Sequence, residues 1–239
     1  NGIFTHTPNI LYRFEGRLDE ARIYRLVVEN TETGDIVTAE TPIVNEFNIT
    51  RPQAGFTESI SLASFSDYQV RWNAAENGKV YELKMKVLFE ERDANDPDIF
   101  LGDSILEWQI FKNKLSDNTN GGAGMSHDVD RDGFYKFFDT KLNAKENIAY
   151  QPDSIQFSFY VGTQELYNFI LFNQAQLGLV SNVVSATYTN VDGGLGIFSS
   201  RHFKQTECLE LTQHTIDSIA CGQFTNHLNF LPVGGGPCP

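Results

Sequence analysis

Residues 79–91, K-V-Y-E-L-K-M-K-V-L-F-E-E, restrict the possible folds of this chain more than any other stretch. Tyr81, Leu83, Met85, Val87 and Phe89 fall on one side of a two-residue period, and Glu82, Lys84, Lys86 and Glu90 fall on the other. That is the pattern of a strand with one dry and one wet face. Leu88 alone breaks the alternation. Tyr68, Val70 and Trp72 alternate on the approach, and Asn77-Gly78 between the two runs is a strong short hairpin signal. Residues 68–91 therefore read as one long β-hairpin.

Other strands are predicted over residues 10–15, 22–29, 35–40, 47–50, 105–111, 155–161 and 195–203, with an extended segment at 183–188. Leu228 to Leu231 can pair at an edge. The period changes after Gly133, where Phe134, Phe137, Phe138 and Leu142 share a helical face. Further helices are predicted from Thr163 to about Gly178 and from Thr212 to Ala220. Residues 191–196 read as a glycine-rich turn. The whole is mainly β: β-sandwich layers with a few inserted helices. The early strands suggest an immunoglobulin-like part over residues 1–52, and a looser connection then leads into a larger β-rich domain over 53–239.

Composition narrows the function. Thirty-one acidic against eighteen basic side chains give a net charge of −13, which opposes phosphate binding and so argues against nucleic acid. No apolar run is long enough to span a bilayer as a helix. The N-terminus lacks the pattern of a signal peptide, so the protein is cytosolic or a leader is removed ahead of Asn1. Cys208, Cys221 and Cys238 match no zinc spacing. Both one disulfide with a cysteine left over and three reduced thiols fit; of the pairings, Cys208 with Cys221 is favoured, because these two flank a predicted short helix.

One acidic stretch has cation-binding spacing. Asp128, Asp130 and Asp132 precede Gly133 as D-x-D-x-D-G, Phe134 can offer its carbonyl, and Asp139 holds the twelfth position. Oxygens from alternate residues would converge on a structural calcium ion while glycine permits the turn. Asp in place of a chelating Glu, and a glycine-rich run where a helix should enter, depart from an EF-hand. The competing reading makes Asp132 the cap of the following helix, with Asp128 and Asp130 near its positive end. Residues 90–98 form a second acidic patch that reads as a solvated loop. No H-E-x-x-H, G-x-S-x-G, P-loop or G-x-G-x-x-G pattern occurs, and Gly193, Gly194 and Gly196 read as a turn.

Several segments in order carry a family likeness: R-I-Y-R-L-V-V-E-N, V-T-A-E-T-P-I-V, W-N-A-A-E-N-G-K-V-Y-E-L, G-F-Y-K-F-F, N-V-D-G-G-L-G-I-F and T-I-D-S-I-A followed by T-N-H-L-N-F. Together they resemble the uncharacterised Bacteroidetes outer-membrane lipoprotein family catalogued as domain of unknown function 4249. The resemblance implies export, removal of a signal peptide, a lipid anchor at the outer membrane and a TonB-dependent receptor as partner. It supplies no catalytic residues. Under it, Ser104, Ser154 and Ser218, each in an Asp-Ser-Ile triplet, resemble the short O-glycosylation signal of such exported proteins; Asp-Ser is also a common way to begin a strand or turn.

The leading expectation is a non-enzymatic, surface-exposed binding or accessory protein. A secreted glycan hydrolase working through two carboxylates is the alternative from another class, and it needs a cleft with acids about 5 or about 6.5–9.5 Å apart. A structural envelope protein is the third.

Overall fold

The computed structural model describes residues 12–53, 55, 59–63, 67–177, 188–236 and 238. In chain order it contains β1 (Ile23–Glu29), β2 (Ile36–Pro42), β3 (Ile49–Arg51), β4 (Tyr68–Asn73), β5 (Val80–Asp93), β6 (Phe100–Leu115) and β7 (Gly124–Val129). These are followed by α1 (Arg131–Lys141), β8 (Ile148–Gly162), α2 (Gln164–Leu177), β9 (Val191–Asp192), β10 (Arg201–Gln205), β11 (Leu209–Glu210) and α3 (Gln213–Cys221).

The alternating strand lies at the centre. β5 buries Tyr81, Leu83, Met85, Val87 and Phe89 to 3% exposure or less and turns Glu82, Lys84, Lys86 and Glu90 to the other face. It sits between β6 and β8 in a sheet of order β10-β8-β5-β6, with β11 also pairing β8. At Leu88, where the sequence alternation breaks, the ladder to β8 slips between Leu88 and Phe89. Leu88 faces Ser154 and Phe89 faces Pro152, so the slip leaves Asp153 as the extra residue of a bulge. Proline has no N–H to give a central ladder, and a bulge is where one is tolerated.

A second sheet of order β3-β4-β7 covers the dry face of the first. Trp72 of β4 packs 6.0 Å from Tyr81 and 5.9 Å from Phe111, and Tyr68 stacks on Phe157 at 6.2 Å, measured between ring centres. The two sheets thus form a sandwich around an aromatic core. Helix α1 closes one end, where Phe134 lies 6.2 Å from Trp108 and Phe138 lies 5.3 Å from Phe230. β1, β2 and β9 form a separate three-stranded ribbon.

The hairpin predicted over residues 68–91 does not form. β4 pairs with β3 and β7, whereas β5 pairs with β6 and β8, so residues 74–79 carry the chain from one layer to the other. Both strands are apolar on one face, and crossing between layers buries those faces against each other; a flat hairpin would leave them side by side on one surface. Asn77 takes the left-handed conformation, with φ 61°, and its backbone N–H donates to Thr119 O at 2.8 Å. Gly78 serves close packing instead: a Cβ there would lie 2.7 Å from Tyr81 Oη and 2.8 Å from Val161 Cγ1. The long hairpin is β5–β6, closed by the acidic 94–99 turn, in which Asp93 Oδ1 accepts from Asn95 N at 2.7 Å.

The three predicted helices are present. Residues 12–15 are not strand, and residues 10 and 11 lie outside the described residues. The extended segment predicted at 183–188 also lies outside them, apart from Tyr188. Of the strand predicted over 195–203, only residues 201–203 enter a ladder, as part of β10.

The cysteine pairing is also corrected. Cys221 bonds to Cys238, and Cys208 is free and exposed. Cys208 precedes α3 and Cys221 is its last residue, so this helix of nine residues, about 14 Å of rise, separates them. The returning tail takes the Cys221 thiol instead.

Candidate ligand-binding cleft

Glycine-rich residues 189–200 shape one wall of a cleft. Asn190 Nδ2 donates to Phe198 O at 2.6 Å, while Phe198 N donates to Asn190 Oδ1 at 2.8 Å. Thr189 Oγ1 accepts from Val191 N at 3.1 Å and from Gly196 N at 3.2 Å. Gly193 and Gly196 supply positive φ of 74° and 144°, which side chains with a Cβ rarely adopt. The fold of this turn sets Phe198, Ser199 and Ser200 just ahead of β10. Ser200 Oγ then accepts from Val44 N at 2.8 Å and joins the wall to the segment after β2.

The opposite wall is the inner face of the ribbon. In β1 the period-two pattern puts Tyr24 and Leu26 on one side, with Thr41 of β2 beside them. Residues 14–20 fold over the rim: Asp19 N donates to Tyr24 Oη at 2.6 Å, and Asp19 Oδ1 takes Ala21 N at 3.0 Å. Phe14, Arg17, Leu18 and Glu20 line the mouth. The open cleft so formed measures about 750 Å³, and most of the surface it presents is apolar. This is within the range of roughly 300–1,000 Å³ typical of small-molecule sites. Phe14 is 81% exposed and Leu18 43%, so apolar surface also continues out of the mouth.

Charged groups surround this apolar interior. His202 Nε2 lies 3.1 Å from Glu46 Oε2, and Lys204 also reaches Glu46. Arg201 pairs with Glu82 at 3.3 Å and lies over the Tyr160 ring at 5.1 Å. Arg25 is 3.9 Å from Glu40. Three smaller clefts are each lined by a single carboxylate: Glu207, Asp98 or Asp132. The large cleft also has one, Glu20.

The residues predicted to bind a cation do not converge. Asp128 is on β7 and accepts from Gln69 Nε2 at 2.7 Å. Asp130 is the N-cap of α1, with Oδ1 accepting from Asp132 N at 3.1 Å. Asp132 pairs with Arg131 at 3.1 Å, and Asp139, near the far end of the helix, is 3.3 Å from His227. Phe134 is buried inside the helix, whose interior carbonyls are committed to the i+4 amides. Of residues 128–139, the nine from Arg131 on belong to α1, so this stretch is not the open loop of an EF-hand. The helix-cap reading holds in a shifted form, with Asp130 rather than Asp132 as the cap. Gly133 fits that cap as well, since a Cβ there would meet Asp130 Oδ2 at 2.7 Å. No cluster of three or more His, Cys, Asp or Glu side chains suited to a metal occurs among the described residues.

The three Asp-Ser-Ile serines differ in access. Ser154 is 6% exposed inside β8, so its hydroxyl cannot carry a glycan, which corrects that expectation. Ser104 Oγ donates to Glu91 Oε1 at 2.8 Å, and Ser218 Oγ donates to His214 O at 2.7 Å; both serines are partly buried. The Ser104 bond, followed by the Lys145 ammonium, holds the Glu91 carboxyl below its ordinary pKa.

None of the cleft residues was identified from sequence. The I-Y-R-L alternation assigns Tyr24 and Leu26 to one face, but nothing local brings Phe198 to meet them. The class defined here is an antiparallel β-sandwich with a ribbon-walled cleft and a disulfide-tethered tail. The chain belongs to the family described as Domain of unknown function (DUF4249), which matches residues 2–207. Neither the curated proteins nor the solved structures contain a match to it.

Proposed function

We propose that this protein is a non-enzymatic binding protein and that the cleft between the ribbon and the 198–202 segment holds a small ligand. The cleft carries this reading: it is large, mostly apolar and joined at its walls by hydrogen bonds. A carboxylate-dependent hydrolase needs two acids facing one cavity, and each of these four clefts among the described residues has one. The Cys221–Cys238 disulfide favours an oxidising compartment. With the family resemblance, this supports export and a lipid anchor at the outer membrane, beside a TonB-dependent receptor that would receive the ligand.

The neutral fluorescent probe N-phenyl-1-naphthylamine tests the cleft. One probe should bind per chain, and Leu26→Asp, which sets a carboxylate into the apolar wall, should abolish binding while the melting temperature stays within a few degrees. Absence of binding, or binding indifferent to Leu26→Asp, rejects the assignment. Fractionation of cells carrying the whole gene tests the compartment; recovery in the cytosol would contradict it.

A further inference from the structure

The charge around the cleft differs from that of the chain. Three of the four clefts are lined by one cation and one carboxylate each: Lys204 with Glu207, Arg92 with Asp98, and Arg131 with Asp132. The large cleft has three arginines, Arg17, Arg25 and Arg201, against Glu20 alone, on a protein of net charge −13. Arg25 and Arg201 are engaged by Glu40 and Glu82. Arg17 has no ion pair among the described residues, and it stands at the mouth between Phe14 and Leu18.

An arginine without an ion pair in the lining of a largely apolar cleft suits a ligand with two ends. Resting on the proposed binding role of the cleft, we infer that its ligand is an amphipathic monoanion: an apolar body of acyl-chain size seated against Tyr24, Leu26 and Phe198, with a carboxylate or comparable anionic head held by Arg17. Glu20 at the same mouth attracts a cationic head by less than the three arginines repel it, and disfavours a second negative charge on the ligand. The acidic surface repels an anionic bilayer, so the ligand is taken as a free molecule and not as part of a membrane.

Displacement of bound N-phenyl-1-naphthylamine by dodecanoate and by dodecanol, both below their aggregation limits, tests the inference. Dodecanoate should displace the probe at a roughly ten-fold lower concentration than dodecanol, the size expected for one charge-assisted hydrogen bond at a partly exposed site. Arg17→Gln should remove that advantage without changing dodecanol, and Arg17→Lys should restore part of it. Because the probe is neutral, the two proposals fail separately. If the probe binds but the two chains compete equally, or Arg17→Gln leaves the advantage intact, the anionic head is wrong and the cleft stands. If the probe does not bind, both are wrong. Sedimentation with phosphatidylglycerol vesicles in place of dodecanoate binding would also overturn the inference, in favour of a lipid surface.

Discussion

Trp72 of β4 and Phe159 of β8 meet ring to ring at 5.2 Å although their strands belong to different sheets. This contact fastens the two layers, and Trp72 is wholly buried. Trp72→Ala should cost about 3–5 kcal/mol in urea unfolding, from lost transfer energy and the cavity left behind. Trp72→Phe should cost less, because the indole Nε1 has no hydrogen-bond partner to lose.

Two glycines separate space from backbone freedom. Gly78→Ala should destabilise the protein by about 1–3 kcal/mol, since the new methyl meets Tyr81 and Val161 in a packed core. Gly102→Ala, with nothing within 4 Å of the added carbon, should be neutral or stabilising by up to about 1 kcal/mol. Thermal melts of the pair read the difference.

The acidic stretch at 128–139 predicts an ordering. Asp130→Ala should remove the α1 cap and cost about 1 kcal/mol. Asp139→Ala breaks only an exposed pair with His227 and should change stability by less than about 0.5 kcal/mol. A cation loop would instead make both variants lose a calcium-dependent rise in melting temperature.

The tether at the C-terminal end is worth more than its exposure suggests. Cross-linking across 17 residues removes loop freedom from the unfolded chain, and Cys238→Ser should lower stability by about 3 kcal/mol on that account. Cys208→Ser should have no effect. Thiol titration of the unfolded, non-reduced protein should find one reactive group per chain.

Acid sensitivity should centre on His127. Burial first, and then the Lys114 charge, push its imidazole below the ordinary pKa of about 6.5. The unfolded chain therefore takes up the proton before the folded one. The stability contributed is present in full above about pH 6.5, and is lost as pH falls through that value towards the lower folded pKa. His127→Gln should flatten the pH profile of urea unfolding below about pH 6.5.

Much of this architecture could be read from residue order, within limits that have physical causes. The two-residue period of β5 and the helical period of α1 are local properties, and both elements form where the pattern puts them. Which strand pairs with which is not local. Asn77-Gly78 signals reversal, yet reversal into the same sheet and reversal into the facing one share that signal, and only burial of Trp72 against Tyr81 decides. The spacing of Asp128, Asp130, Asp132 and Asp139 was legible, but the helix that separates them competes for the same residues. Cys238 gave no pattern at all, because its partner is set by where the tail returns. The cleft was illegible for the same reason: Leu26 and Phe198 are distant in the chain and are brought together by two separate turns.

The rim formed by residues 14–20 controls access to the cleft. The chain enters the described fold at the mouth of the cleft, where Phe14 lines the opening. Asp19 ties that segment to Tyr24 of β1, so a displacement of residues 14–20 would change the width of the opening.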